Sequence, residues 1–268
     1  MKSMYEFEFE GFTKEQCDAY LERIGAEYDG NPTLENLNHL IFQNQSMIPF
    51  ENLAVYDHYG TVNLDPDALF KKIVTDHRGG FCFELNGAFT LLLKGLGYDA
   101  VSLMARVGVP FIGKLFPLYH RAVWVTIDGK DYFCDVGMGG PKPSFAVPMS
   151  GEKQRVGNQC YWIEDTDRGW KMLKSDGKGD DGAVIIFAPI AFLPLDFNAP
   201  CRELLESGNS IFHQMRMLNL TTKDGFIRLD GTTLTIRKGE EETKREVEEA
   251  EFPEVLKSYF GISYDASV

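Results

Sequence analysis

A chain of 268 residues can bury a sizeable core, and 44% apolar with 25% charged residues is the composition of a folded globular protein rather than a disordered one. Its 27 Lys plus Arg against 40 Asp plus Glu leave a formal net charge of −13, which argues against nucleic acid or an anionic membrane surface as the main partner. The acidic N-terminus lacks the basic start and apolar core of an export signal, and the longest apolar run, 183–195, is too short and too broken by prolines to span a bilayer.

Taken in chain order, the first elements are helical. Cys17, Tyr20, Leu21 and Ile24 recur at helical spacing, with Thr13 placed as the cap and Gly25 as the stop. A second helix follows Pro32, with Thr33 as cap and Leu34, Leu37, Leu40 and Ile41 on one side. It ends before Ile48-Pro49, because the residue preceding a proline is pushed out of the helical region, and Pro49-Phe50-Glu51-Asn52-Leu53 reads as an extended turn. Asp65 and Pro66 open a third helix. Arg78-Gly79-Gly80 then precedes Phe81, Leu85, Ala88, Phe89, Leu92 and Leu96, again at helical spacing, which puts Cys82 in the first turn of a fourth helix. Amide groups without partners and the helix dipole favour a thiolate there, while simple packing is the competing reading for a cysteine flanked by Phe81 and Phe83.

After Gly97 the period becomes alternating, over Ala100–Val107 and Arg121–Val136, so strands follow the helices. Between them Gly108-x-x-x-x-Gly113-Lys114 narrowly misses the phosphate-loop pattern. Leu115 stands where Ser or Thr is required, and Pro110 and Pro117 interrupt the helix that should follow. This segment reads as an ordinary loop, with Lys114 and Arg106 kept as candidate contacts for the phosphates of a cofactor. Asp128-Gly129 offers a two-residue hairpin turn. If Ile127 pairs with Lys130, Asp135 lies opposite Ala122 and His120 opposite Gly137, so His120 and Asp135 share a face as diagonal neighbours within side-chain reach.

Further along, 161–163 and 170–173 predict a strand pair, 175–182 a polar surface loop, 183–188 a buried strand and 196–206 a short helix. Phe226–Leu229 and Thr232–Ile236 predict a hairpin around Asp230-Gly231. The charged stretch 238–250 reads as a solvated turn or helix face, and Phe252–Phe260 as a terminal helix docked through Val255, Leu256 and Phe260.

The five cysteines, Cys17, Cys82, Cys134, Cys160 and Cys201, are scattered, which fits a reducing cytoplasm better than a disulfide framework, and no Cys-x-x-Cys or His-x-x-x-His pair suggests a metal site. A cysteine at a helix N-terminus, with a histidine and an aspartate on paired strands, is the set that nucleophilic acyl transfer needs. The imidazole takes the thiol proton, the carboxylate fixes the imidazole, and the sulfur attacks an acyl carbon. His39, His58, His77 and His213 read as surface or packing residues.

Three ordered blocks carry a resemblance. Pro49-Phe-Glu-Asn-Leu53, Arg78-Gly-Gly-Phe-Cys-Phe-Glu-Leu-Asn86, and His120 followed by Asp135-Val-Gly-Met-Gly139 resemble the arylamine N-acetyltransferase family. The resemblance implies an α+β fold with a papain-like cysteine core: a helical domain over 1–97 carrying the nucleophile, a β-barrel over 98–200 carrying the histidine and aspartate, and an α/β lid over 201–268. It implies that acetyl-CoA acylates Cys82 and that an aromatic amine or hydrazine then takes the acetyl group. Cys82 would be the nucleophile, His120 the base and Asp135 its orienter, with Phe50, Met138 and Gly139 against the acceptor. Met138 replaces the phenylalanine usual in its block, which bears on acceptor preference. Gln45 stands where many relatives have a histidine, and no consequence is assigned to it. The alternatives are an acyltransferase or amide synthase using another acyl thioester, and a non-catalytic binding module.

Overall fold

Thr13 and Gly25 bracket the first helix as their chemistry predicts. The Thr13 hydroxyl accepts from the Gln16 amide, the Gln16 side chain accepts from the Thr13 amide, and Gly25 takes the left-handed conformation that ends α1, Lys14–Ile24. In this computed structural model, which describes residues 9–109, 114–140, 142–156, 159–167, 169–177, 182–208 and 210–264, a helical layer comes first. Thr33 caps α2, Leu34–Met47; α3 is a single turn, Leu53–Tyr56; Asp65 precedes α4, Pro66–Phe70, without a side-chain cap bond. The predicted third helix continues as a π-helical turn, Lys71–Thr75. Helix α5, Cys82–Gly95, is buried from Cys82 through Leu93 and forms the centre of the layer, as expected of a helix apolar on every side.

The alternating segments form the second layer. Strands β2 (Asp99–Val109), β3 (Lys114–Leu115), β4 (His120–Ile127), β5 (Lys130–Cys134), β6 (Val147–Pro148), β7 (Gln154–Val156), β8 (Gln159–Thr166), β9 (Gly169–Ser175) and β10 (Gly182–Phe187) join in the order β6-β5-β4-β2-β10-β9-β8-β7, with β3 folded back on β2. The ends of this sheet approach through β6 and β8, giving a nearly closed eight-strand barrel whose interior holds Leu103, Phe133, Tyr161, Met172 and Ile185. Asp128 and Gly129 both take positive φ, the mirror-image turn that a two-residue hairpin favours, and Ile127 pairs with Lys130 as the sequence predicts. The phosphate-loop near miss is a strand return: Gly108 pairs with Leu115 and Val109 with Lys114, and residues 110–113 lie outside the described residues.

After β10 come a 3₁₀ turn, Pro194–Phe197, and α6, Asn198–Glu206, whose Cys201 and Leu204 pack into the helical core. The last unit is an antiparallel sheet, β1 (Phe50–Glu51), β11 (Met217–Thr222), β12 (Gly225–Asp230), β13 (Thr233–Lys238) and β14 (Glu241–Glu246), covered by α7, Phe252–Phe260. Two sequence expectations change here. The hairpin turn is Gly231-Thr232, since Asp230 pairs with Thr233, because Gly231 supplies the positive φ at the first turn position. Part of the charged stretch is β14, exposed at every residue, an edge strand without the apolar alternation that would announce it. Among the described residues no helix is long and apolar enough to cross a membrane.

Strand β1 comes from the first third of the chain yet pairs with β11, Phe50 with Asn219 and Glu51 with Leu218. The same two residues lie beside the glycines that precede α5. The Glu51 amide donates to the Gly80 carbonyl at 2.9 Å, and a Cβ on Gly79 would collide with the Pro49 carbonyl oxygen. Arg78 closes the joint. Its guanidinium reaches the fully buried Glu51 carboxylate at 2.7 and 3.1 Å, donates to the Tyr59 carbonyl and stacks on the Tyr59 ring. Removing one partner of a buried pair strands the other, so Glu51→Ala is expected to cost about 3–5 kcal/mol. Equilibrium urea unfolding checks it, and a loss below about 1 kcal/mol would show the pair to behave like a surface one.

Candidate active site

Phe81 is extended and Cys82 opens α5, with the Glu84 carboxylate reaching back to accept from the Phe81 amide at 3.2 Å. Glu84 is itself buried and held by Lys72 at 2.7 Å. Burial pushes the Glu84 pKa up, and Lys72 opposes that shift. This ties the start of α5 to the π-helical turn and fixes where the Cys82 sulfur projects.

His120 opens β4 and Asp135 follows β5, so the hairpin brings them together as its register requires. His120 Nε2 and Asp135 Oδ2 are 2.6 Å apart, both buried. Asp135 Oδ1 accepts from the Asn86 side chain and from the Gly137 amide, each at 2.9 Å. Burial disfavours the Asp135 charge, but His120 and these hydrogen bonds outweigh it and hold the carboxyl below its usual pKa. For His120 burial again opposes charge, while the Asp135 carboxylate, Cys82 and hydrogen bonds to both raise the imidazole to about 10. With Nε2 on the carboxylate, Nδ1 is left for the sulfur. Cys82 Sγ also contacts the Tyr119 carbonyl at 3.5 Å.

Asn86 had no assigned role in the sequence, yet it lies one helical turn beyond Cys82 on the same side of α5. Its amide nitrogen donates to Asp135 and to the Arg121 carbonyl, and its oxygen accepts from the Val136 amide at 2.9 Å. The helix that carries the sulfur thus grips the strand ends that carry histidine and aspartate. Gly137 completes the approach: a Cβ there would sit 2.7 Å from Cys82 Cα. Gln45, to which the sequence assigned no consequence, is also structural. Its amide donates to the Asp135 and Pro143 carbonyls at 2.9 Å and accepts from the Ser144 hydroxyl at 2.7 Å, so it clamps the loop that carries the carboxylate.

Cys82 and His120 line a cavity of about 670 Å³ between the barrel and the C-terminal sheet. Phe50, Met138 and Gly139, the predicted acceptor contacts, line it too, with Phe50 edge-on to Phe212. Asn52 draws in the far wall. Its side chain donates to the Phe212 and Met215 carbonyls and accepts from the Met217 amide. That wall left no residue signal in the sequence, because its position is set by Asn52, more than 150 residues earlier. Arg106 is not among the lining residues and donates to the Phe116 carbonyl at 3.5 Å, whereas the side chain of Lys114 lies outside the described residues. Lys174 of β9 and Arg228 of β12 line the cavity, the latter 2.9 Å from Asp230.

The N-acetyltransferase family model matches residues 33–268. The chain belongs to the arylamine N-acetyltransferase family. An arylamine N-acetyltransferase, pineal gland isozyme, of Gallus gallus is 32% identical over 244 residues, 82% of this chain and 83% of the relative. The arylamine N-acetyltransferase / N-hydroxyarylamine O-acetyltransferase of Salmonella typhimurium is 38% identical over 122 residues, 46% of this chain, and that match spans 43% of the relative's own length. Among solved structures, the Mycobacterium marinum arylamine N-acetyltransferase in complex with CoA superposes with a TM-score of 0.85 at 26% identity, covering 94% of this chain and 96% of the other.

Because the His120 pKa lies above that of an unfolded histidine, its charged form contributes stability that is complete below pH 6.5 and is lost as pH rises through about 10. The stability advantage of the wild type over His120→Gln is therefore expected to shrink across that window. Urea unfolding at a series of pH values checks this, and a difference that grows with pH contradicts it.

Proposed function

We propose that this chain transfers an acetyl group from acetyl-CoA to the nitrogen of aromatic amines or hydrazines, through an acetyl-cysteine on Cys82. The observation that carries the reading is a buried imidazole held 2.6 Å from a buried carboxylate beside a helix-terminal cysteine, all opening on one cavity. Membership of the family and the CoA complex of the Mycobacterium marinum relative support acetyl-CoA as the donor.

In this reading the Cys82 sulfur attacks the acetyl carbon, the bond to the CoA sulfur breaks, and CoA leaves with the proton from His120. The acceptor amine then attacks acetyl-Cys82, the acyl–sulfur bond breaks, and His120 takes the proton shed by the amine nitrogen, restoring the starting pair. Asp135 keeps the imidazole oriented throughout and stabilises its charged form. Phe50, Met138 and Gly139 form the wall nearest the acceptor, where the Met138 thioether yields to ring shape more readily than a phenyl group does. Lys174 and Arg228 offer positive charge to the donor's phosphates from within the cavity, in place of Arg106. The organisation that goes with this mechanism is a nucleophile domain over 1–97, a base-carrying barrel over 98–200 and a lid over 201–268. Five free, buried cysteines support work in a reducing compartment such as the cytoplasm.

Acetyl-CoA without acceptor is expected to leave an acetyl adduct on the Cys82 peptide, read by mass spectrometry. Cys82→Ala should fold normally and release no CoA when an arylamine is added, and full turnover by that variant contradicts the proposal. Asp135→Asn should lower kcat/KM by about 10³–10⁴-fold, the scale seen when an imidazole loses its orienting carboxylate.

A further inference from the structure

The wall assigned to the acceptor comes from two distant parts of the chain, and one side chain joins them. Phe50 belongs to β1 and pairs with Asn219 of β11, so their side chains lie on one face of the C-terminal sheet. Met217 and Thr221 share that face by alternation: Met217 lines the cavity, and the Thr221 hydroxyl lies 3.4 Å from the Gln45 side-chain oxygen. Met138 and Gly139 belong instead to the loop after Asp135. The two parts meet closely, because a Cβ on Gly139 would sit 2.7 Å from the Phe50 ring. Lys142, further along that loop, bridges them. Its Nζ donates to the Met138 carbonyl at 3.0 Å and to Asn219 Oδ1 at 3.1 Å. Among the described residues no carboxylate pairs with it, and burial lowers its pKa to about 8 against the opposing charge of Asp135. An ammonium kept among neutral partners is costly, so what marks this one is the pair of oxygens it joins.

The catalytic set is held by other contacts. The Asp135 carboxylate is satisfied by His120, Asn86 and the Gly137 amide, and its backbone carbonyl by Gln45. Lys142 holds the backbone of Met138 and the strand partner of Phe50. We infer that Lys142 is a positioning residue for acceptor choice: by joining the Met138 carbonyl to Asn219 it fixes how far Met138 stands from Phe50, and with that the room left for an acceptor ring. Lys142 is not itself among the residues lining the cavity and acts through the two that are. The Met138 thioether is flexible, so once the bridge is cut the wall yields to a wider ring. This rests on the acetyl-transfer reading of the site, and within it on Phe50 and Met138 facing the acceptor.

The test is competition between two acceptors in one mixture with acetyl-CoA and the full chain at pH 7, where Lys142 keeps its proton. The probes are 4-methylaniline, with one ring, and 2-aminonaphthalene, with two fused rings. Both compete for the same acetyl-Cys82, so the ratio of their kcat/KM values does not depend on the acylation rate or on the amount of folded enzyme. A merely structural role would leave that ratio in place. Lys142→Met removes the donor and its charge, whereas Asn219→Leu removes the acceptor oxygen and leaves the charge. Each is expected to shift the ratio toward the two-ring amine by about fivefold or more, and the double variant no further than the larger single shift. Asn219→Asp keeps an oxygen in place and should stay within about twofold of wild type. A ratio unchanged in both folded single variants, or shifted toward the one-ring amine, overturns the inference and leaves acetyl transfer intact. A shift in Lys142→Met with none in folded Asn219→Leu assigns the effect to charge and overturns it equally. Where one single variant does not fold, the other decides; loss of the fold in both assigns the bridge to folding and also overturns the inference. Wild type that acetylates neither amine sinks the acetyl-transfer reading itself.

Discussion

The constraint on which the site depends is the burial of Asp135 as a carboxylate. An ionised carboxyl in a protein interior is tolerated only when its lone pairs are taken up. Asp135 spends one oxygen on His120 and the other on Asn86 and the Gly137 amide. Those contacts come from two strand ends and one helix, so satisfying the carboxylate brings β4, β5 and α5 to a common point. Cys82, at the tip of that helix, arrives with them. The geometry that keeps one buried charge satisfied is also the geometry that sets an imidazole beside a sulfur.

Around this point the motif residues act mainly as joints. Glu51 and Arg78 lock strand β1 to the glycines that precede α5, and Asn52 collects the Phe212 and Met215 carbonyls just before β11. Phe50 can line the cavity because β1 belongs to the C-terminal sheet while its neighbours belong to the helical layer. Gln45 performs the same service for the loop from Asp135 to Ser144. A block rich in such residues reads as catalytic in a sequence, yet most of its side chains touch backbone carbonyls or each other.

What was legible in the sequence was what local rules decide. Thr13, Thr33 and Gly25 mark helix ends through hydrogen bonds within one turn, and Asp128-Gly129 sets a register from which the His120–Asp135 pairing follows by alternation. The cysteine helix was legible from its period and the paired glycines. What escaped depends on residues far apart in the chain. Gln45 contacts Asp135 and Pro143 across some ninety residues or more, so its neighbours in sequence say nothing of its task. Strand β14 is charged throughout and exposed, leaving no alternation to detect, and Lys174 and Arg228 meet only where two sheets enclose a cavity. Arg121 follows His120 directly, but a strand pattern offers no sign that an arginine at that position would be fully buried.

His120 stands as an imidazolium because the buried Asp135 carboxylate and the Cys82 sulfur flank it. The most direct measurement is the ¹⁵N spectrum of the histidine side chains at neutral pH, with His120 assigned by its disappearance in His120→Gln. Both ring nitrogens of His120 should report the protonated, charged ring in wild type, and the pH at which that ring loses its proton should fall when Cys82 is replaced by alanine. A His120 ring that is already neutral at pH 7, or one whose titration does not respond to removing the sulfur, would contradict the account.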